Sequence, residues 1–210
     1  FDECTAINIS SAIDRDMFND TKEDLKIEFN HIGKYILYTG AGDPRKNLKN
    51  LIIAYSLLPE NIKSIYNLVF AGDLNQEEIK LAKSWTIEYN ISEKNVVFLG
   101  YVNDSQLVNL YKNCSLFVFP SIHEGFGLPV LEAMVCGAIA IGSNLTSIPE
   151  VIGNTSALFD PHDVNSIAKS IFIALEDQNF RDQYLKDSRN QINKFSWEIT
   201  VNKVITLFES

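Results

Sequence analysis

Five short, unbroken apolar runs recur along the chain, at residues 35–39, 67–71, 96–99, 116–119 and 138–141. Each is rich in β-branched or aromatic residues and has the length of a strand rather than of a helix. Apolarity within them is continuous instead of alternating, so both faces of the sheet they build are covered. The intervening segments carry helical spacing. Leu48, Leu51, Ile52, Tyr55 and Leu58 line one face; Ile79, Ala82, Lys83 and Thr86 mark a second helix; Leu107, Leu110 and Tyr111 mark a third, with Asp104 as its N-cap. Strand and helix in alternation predict βαβ units, and hence an α/β fold built on a doubly wound parallel sheet of Rossmann-like type.

Beyond the fifth run come Ser147-Ile-Pro-Glu150 and a short apolar piece, residues 157–159, closed by Asp160-Pro161. Helices are predicted over 164–175 and 180–195, and a last one begins at Ser196-Trp197-Glu198 with Ser196 as N-cap. Residues 1–34 are the least patterned: 4–9 fit a strand and 21–29 a short polar helix. No repeat, low-complexity tract or flexible linker divides the chain, so residues 1–210 are expected to form one domain.

Composition narrows the function. With 46% hydrophobic residues in 210, the chain can bury a good-sized core. Its formal charge of −9 is spread without a long block of one sign, which argues against nucleic acid or an anionic membrane as partner. Three cysteines, Cys4, Cys114 and Cys136, with no Cys-x-x-Cys pair, argue against a disulfide framework or a zinc site and fit a reducing cytoplasm. No apolar run reaches the length of a membrane span. The first residue is Phe1 rather than a methionine, so the chain is expected to be a piece of a longer protein.

In a doubly wound sheet, ligands bind outside the carboxyl ends of the strands, and three post-strand loops carry suitable chemistry. After the first run, Gly40-Ala-Gly-Asp-Pro-Arg-Lys-Asn47 offers glycines for close approach and two adjacent cations, Arg45 and Lys46, that suit a diphosphate; a turn with Pro44 in first helical position and solvated cations is the alternative. After the third, Tyr101 and Val102 could border a base or form a plain strand-to-helix turn. After the fourth, Ser121-Ile-His-Glu-Gly-Phe-Gly-Leu-Pro-Val-Leu-Glu132 sets two carboxylates, Glu124 and Glu132, around two glycines, Gly125 and Gly127, that leave the backbone unshielded. Pro129 opens a helix there, whose free N–H groups attract an anion. Glu132 also fits as a helix-dipole residue, whereas Glu124 has no such structural reason. Phosphate plus sugar hydroxyls is the ligand these residues suggest.

Competing chemistries fit less well. Gly-x-Gly-x-x-Gly fails in both loops, because Arg45 and Val130 stand where the third glycine belongs, which disfavours a nicotinamide or flavin enzyme. His123 beside Glu124 lacks a nucleophile with a recognisable elbow. Asp14-Arg15-Asp16 resembles a cation-chelating Asp-x-Asp, but no strand directly precedes it and a solvated loop is the expectation.

Together these pieces resemble the carboxyl-terminal, donor-binding half of the GT-B-fold glycosyltransferases of family 4 (glycosyl transferases group 1). The matching segments are Pro44-Arg-Lys-Asn47, Phe70-Ala-Gly72, Val97-Phe-Leu-Gly-Tyr-Val102, Phe119-Pro-Ser121, Glu124-Gly-Phe-Gly-Leu-Pro-Val-Leu-Glu-Ala133, Ser143-Asn144, Pro149-Glu150, Asp160-Pro161 and Phe195-Ser-Trp-Glu198. The resemblance implies transfer of a sugar from a nucleotide diphosphate with retention, in glycan or polysaccharide biosynthesis, without a metal or other cofactor. It implies catalytic roles for Arg45 and Lys46 on the diphosphate and for Glu124 on the donor sugar. Donor contacts are implied for Gly40, Gly42, Tyr101, Val102, Gly125, Phe126, Gly127, Leu128 and Glu132, the last on the ribose. An arginine common directly after the first glycine of the first loop is replaced by Ala41. The resemblance further implies that a glycan or lipid-linked acceptor binds an amino-terminal domain outside this chain, with residues 1 to about 20 as crossover and 196–210 packing on that domain. The piece alone should then bind donor weakly and transfer nothing, in a protein that is cytoplasmic or peripheral at the membrane. A catalytically silent nucleotide-sugar-binding module, and a phosphorylase or epimerase on the same fold, are the alternatives.

Overall fold

A computed structural model of the chain describes residues 8–14, 18 and 29–209. Six strands form one parallel sheet: β1 (Lys34–Thr39), β2 (Tyr66–Ala71), β3 (Val96–Gly100), β4 (Leu116–Phe119), β5 (Ala140–Ser143) and β6 (Leu158–Phe159). Their order across the sheet is β3-β2-β1-β4-β5-β6, so the winding runs outward in one direction from β1 and in the other from β4. The boundary between β1 and β4 is therefore the topological switch point, where the loops leaving two neighbouring strands diverge and open a crevice.

The continuous apolar runs become strands whose interior members are buried on both faces, as in Ile36, Leu37 and Tyr38 of β1 and all four residues of β4, whereas in the edge strand β3 only Val96 is buried. On one face α1 (Leu48–Ser56) packs against α3 (Gln76–Glu88) and α7 (Val164–Glu176); on the other α5 (Leu128–Val135) packs against α4 (Asp104–Asn113), α6 (Ile148–Ile152) and α8 (Gln178–Ile192). A single-turn helix α2 (Glu60–Lys63) leads into β2, and α9 (Trp197–Glu209) ends the described chain. Ser196 caps α9, accepting the Ile199 N–H at 3.2 Å, as its sequence predicts.

Three expectations are corrected by the geometry. The N-cap of α4 is Asn103 rather than Asp104: the Asn103 side chain accepts the Gln106 N–H while Gln106 returns the bond to the Asn103 N–H, a reciprocal pair that Asp104, one residue later, cannot make. The fifth strand lies at Ala140–Ser143, later than the apolar run at 138–141, because its ladder pairs Phe117, Val118 and Phe119 with Ala140, Ile141 and Gly142. Gly142 is kept side-chain-free by Ile148 and Ile152, which occupy the space a Cβ would need. The helix expected over 180–195 runs from Gln178 to Ile192, started by Asp177, which accepts the Asn179 and Phe180 N–H groups. The expected features at 4–9, 21–29 and Asp14-Arg15-Asp16 lie wholly or largely outside the described residues.

Candidate nucleotide-sugar site at the switch point

The loops leaving β1 and β4 are tied together backbone to backbone. The Arg45 carbonyl accepts the Ile122 N–H at 2.8 Å and the Ser121 hydroxyl at 3.0 Å, and the Asn47 amide donates to the Pro120 and Pro161 carbonyls at 3.1 and 2.8 Å. Asn47 adopts a left-handed conformation, φ 61°, which ends a 3₁₀ turn at Pro44–Lys46 and starts α1. Asparagine tolerates that region better than most residues. This stitching sets Lys46 against the β4 loop: its Nζ lies 2.7 Å from Glu124 Oε1 and 5.4 Å from the centre of the Phe119 ring. The two charged side chains retain 22% and 13% of full exposure, so the pair is shielded on most sides.

Arg45 goes elsewhere. Its Nε and Nη2 each donate to Asp43 at 3.0 Å in a two-pronged contact at the surface. Asp43 also caps the 3₁₀ turn by accepting the Arg45 N–H, and the Arg45 bonds hold its carboxyl at about 2. The two adjacent cations thus have different partners: Lys46 is held by Glu124 under partial cover, and Arg45 by Asp43 at the surface, with Glu124 still within electrostatic reach of it.

Glu132 sits in the second turn of α5, half-buried. Tyr111 of α4 donates to its Oε2 at 3.0 Å, and the Tyr111 hydroxyl also meets Thr39 Oγ1 at the end of β1. Burial lifts the Glu132 carboxyl above its ordinary value and outweighs the Tyr111 bond, with Asp104, the first residue of α4, adding like charge. In the β3 loop, Tyr101 is 79% exposed and Val102 half-buried. Sheet order puts this loop two strands from β1, about 9–10 Å across the same edge.

The glycines of the two loops have different reasons for being glycine. A Cβ at Gly40, φ 142°, would lie 2.7 Å from the Tyr38 hydroxyl; at Gly42 it would strike the Glu78 carboxyl; at Gly127, φ 99°, it would lie 2.6 Å from Ile148 Cδ1. Only Gly125 among these four faces open space. The expectation that both β4-loop glycines leave the backbone unshielded therefore holds for Gly125 and fails for Gly127, whose missing side chain makes room for Ile148. Gly127 caps α5 in a left-handed conformation, and among the described residues no side chain caps that helix end. Phe126 stacks edge-on against Phe195 at 5.5 Å, and Leu128, first in the helix, is exposed.

Sequence patterning missed Thr39, Tyr111, Asp43, Asn47, Thr146 and Ser147. Asp43 before Pro44 was detectable as a cap. Thr39 and Tyr111 were not, because Thr39 ends an apolar run and Tyr111 keeps the apolar spacing of its helix, so neither pattern marks the hydroxyl as a partner. His123 is exposed in the β4 loop, and among the described residues no group of three His, Cys, Asp or Glu side chains is placed to hold a metal. Nor, among them, is any helix long and apolar enough to cross a membrane.

The family model of the glycosyl transferases group 1 matches residues 19–191. The serotype-specific mannosyltransferase WbdA of Escherichia coli is 41% identical over 96% of this chain, which spans only 25% of WbdA's length. Sucrose-phosphate synthase of Thermosynechococcus elongatus superposes on 96% of the chain and 51% of its own at 25% identity and a TM-score of 0.79. Anabaena Alr3699/HepE, solved in complex with UDP and glucose, covers 95% of the chain and 55% of its own with a TM-score of 0.80; at 18% identity that likeness concerns the fold.

Proposed function

The chain belongs to the glycosyl transferases group 1 family, and from that premise we propose that it is the donor-side half of a retaining glycosyltransferase, which binds a nucleotide-diphosphate sugar at the β1/β4 switch point. The observation that carries this reading is the Lys46–Glu124 pair: a cation for phosphate and a carboxylate for hydroxyls, 2.7 Å apart and largely shielded from water. Glu132, with Thr39 and Tyr111 behind it, is a second carboxylate on the same edge, suited to a ribose diol.

In this reading the diphosphate lies between the two carboxylates, against Lys46 and the uncapped start of α5 near Phe126, Gly127 and Leu128. Cleavage of the anomeric bond leaves growing negative charge on the diphosphate. A fixed ammonium and helix N–H groups stabilise that charge more in the transition state than in the ground state, which is how they would lower the barrier. Arg45 adds to this only if the diphosphate draws it away from Asp43. No metal is required on this account, and activity of the longer protein in the presence of a chelator tests that point.

The chain spans about a quarter of WbdA's length, so acceptor binding and turnover are proposed for a longer protein. The exposed apolar side chains of α9, Trp197, Val201, Ile205 and Phe208, are read as the face that meets a second domain. Mannose is the sugar suggested by WbdA's name.

A thermal-shift and calorimetric panel of uridine, guanosine and adenosine diphosphates, with and without their sugars, tests the reading. One base should bind and its sugar conjugate should bind more tightly; a panel with no member bound would sink it. The anomeric configuration of the product made by the longer protein tests retention.

A further inference from the structure

Two consecutive residues between β5 and α6 break local rules in a way that points to Glu124. Thr146 has φ 54°, a left-handed conformation that is unfavourable for a β-branched residue. Ser147 stands at the N-cap of α6, a position where serine ordinarily caps its own helix, yet it makes no cap hydrogen bond. Both hydroxyls are turned to the main chain of one residue on another loop. Thr146 Oγ1 accepts the Glu124 N–H at 3.2 Å, and Ser147 Oγ donates to the Glu124 carbonyl at 3.2 Å. The main chain of Glu124 is thereby gripped at its donor and its acceptor from the neighbouring strand's loop.

The grip has a mechanical reason. Glu124 lies next to Gly125, which faces open space, and its loop has no regular secondary structure until α5 begins at Leu128. The carboxylate would otherwise hang on a mobile hinge, whereas a sugar hydroxyl must be met at a fixed height above Lys46. Local rules broken at a site without local compensation are where a fold trades stability for function.

We propose that Thr146 and Ser147 are positioning residues, which hold the Glu124 carboxylate at the place where the donor's sugar sits and so set the preference for nucleotide sugar over free nucleotide. This rests on the functional reading given above. The Thr146 and Ser147 hydroxyls bond to Glu124 and not to Lys46, so the phosphate contact should not weaken when they change.

The test compares the parent chain with Thr146→Gly, Thr146→Ser and Ser147→Ala, titrating each with the diphosphate that binds the parent and with its sugar conjugate. Thr146→Gly removes both the strain and the hydroxyl. It should melt no lower than the parent, bind the diphosphate no more weakly, and lose at least about fivefold of the extra affinity that the sugar confers, the ratio expected for one ordinary hydrogen bond. Amide exchange at Glu124 should speed up in the same variant. Thr146→Ser keeps the hydroxyl and should restore the sugar preference, while Ser147→Ala should lower it without weakening diphosphate binding. An unchanged sugar-to-diphosphate ratio in Thr146→Gly and Ser147→Ala, or a fall in melting temperature as the sole effect, overturns the positioning role and leaves the donor site intact. A parent that binds neither ligand overturns the donor site and the positioning role together.

Discussion

Replacing Glu124 by glutamine should make the empty site bind a free nucleoside diphosphate more tightly. Lys46 Nζ lies 2.7 Å from Glu124 Oε1, so an incoming phosphate must draw the ammonium away from a carboxylate that already holds it. Because both side chains are largely covered, the contact is less screened than a surface pair. At this distance the bare attraction is about 6 kcal/mol for an effective dielectric of about 20. Desolvation offsets most of it, leaving about 1.5–3 kcal/mol net for a charge-assisted hydrogen bond. Glutamine keeps the shape and a neutral acceptor, whose bond is roughly half as strong. Releasing Lys46 should then cost about 1 kcal/mol less, and on a scale where about 1.4 kcal/mol is tenfold that amounts to about fivefold in affinity. Loss of repulsion between Glu124 and the diphosphate acts in the same direction. Calorimetric titration of parent and Glu124→Gln with the same diphosphate at low salt reads the difference. The sugar conjugate should lose its advantage in the same variant, since the hydroxyl contact goes with the charge. Glu124→Gln binding the diphosphate equally well or more weakly would refute competition for Lys46.

Further substitutions separate the remaining parts. Lys46→Ala should weaken diphosphate binding by more than about tenfold, from loss of a charged hydrogen bond. It should also lower stability in urea by about 1–2 kcal/mol, less than for a fully buried pair, because Glu124 keeps its cover and loses its counter-charge. Arg45→Ala should cost the same binding less than about threefold, since Arg45 is engaged by Asp43 at the surface; a loss equal to that of Lys46→Ala would show that Arg45 leaves Asp43 for the phosphate. Glu132 tests the pH sign. Its carboxyl is raised by burial above 4.5, so its contribution favours the fold below the unfolded value and is lost as pH rises through the folded one. Glu132→Gln should therefore melt higher than the parent near neutrality, with the gap closing under acid conditions, and a gap that widens in acid would contradict this. Gly72→Ala should destabilise by more than about 2 kcal/mol in urea, because φ is 134° and a Cβ would overlap the Gly40 carbonyl.

Much of the architecture was legible because the information is local. Buried parallel strands announce themselves as unbroken apolar runs, and amphipathic helices as stripes, so five of the strands and the helices at Leu48, Gln76, Asp104, Leu128, Val164, Gln178 and Trp197 follow from residue order. The two misplaced helix starts, at Asn103 and Asp177, were local capping signals, whereas the fifth strand was misplaced where a tertiary contact outweighs propensity. Gly142 is a strand residue because Phe119 of β4 pairs with it and Ile148 needs the glycine's room, Ser143 because it pairs with Phe159 of β6, and the two-residue β6 is a strand only because β5 lies next to it. The site was legible in kind: two carboxylates, two cations and a helix start predicted phosphate and hydroxyl chemistry.

What the chain alone determined, then, is the set of elements and the chemical vocabulary of their loops, since both depend on residues a few positions apart. Only the tertiary structure decided which groups meet. Strand order brings the β1 and β4 loops side by side although Lys46 and Glu124 are 78 residues apart in the chain. It gave Lys46 to Glu124, put Tyr111 and Thr39 behind Glu132, and turned Thr146 and Ser147 onto the main chain of a residue they do not adjoin. Hydrogen bonds and ion pairs act over about 3 Å of space, and in a doubly wound sheet that proximity is set by the crossovers and not by distance along the chain.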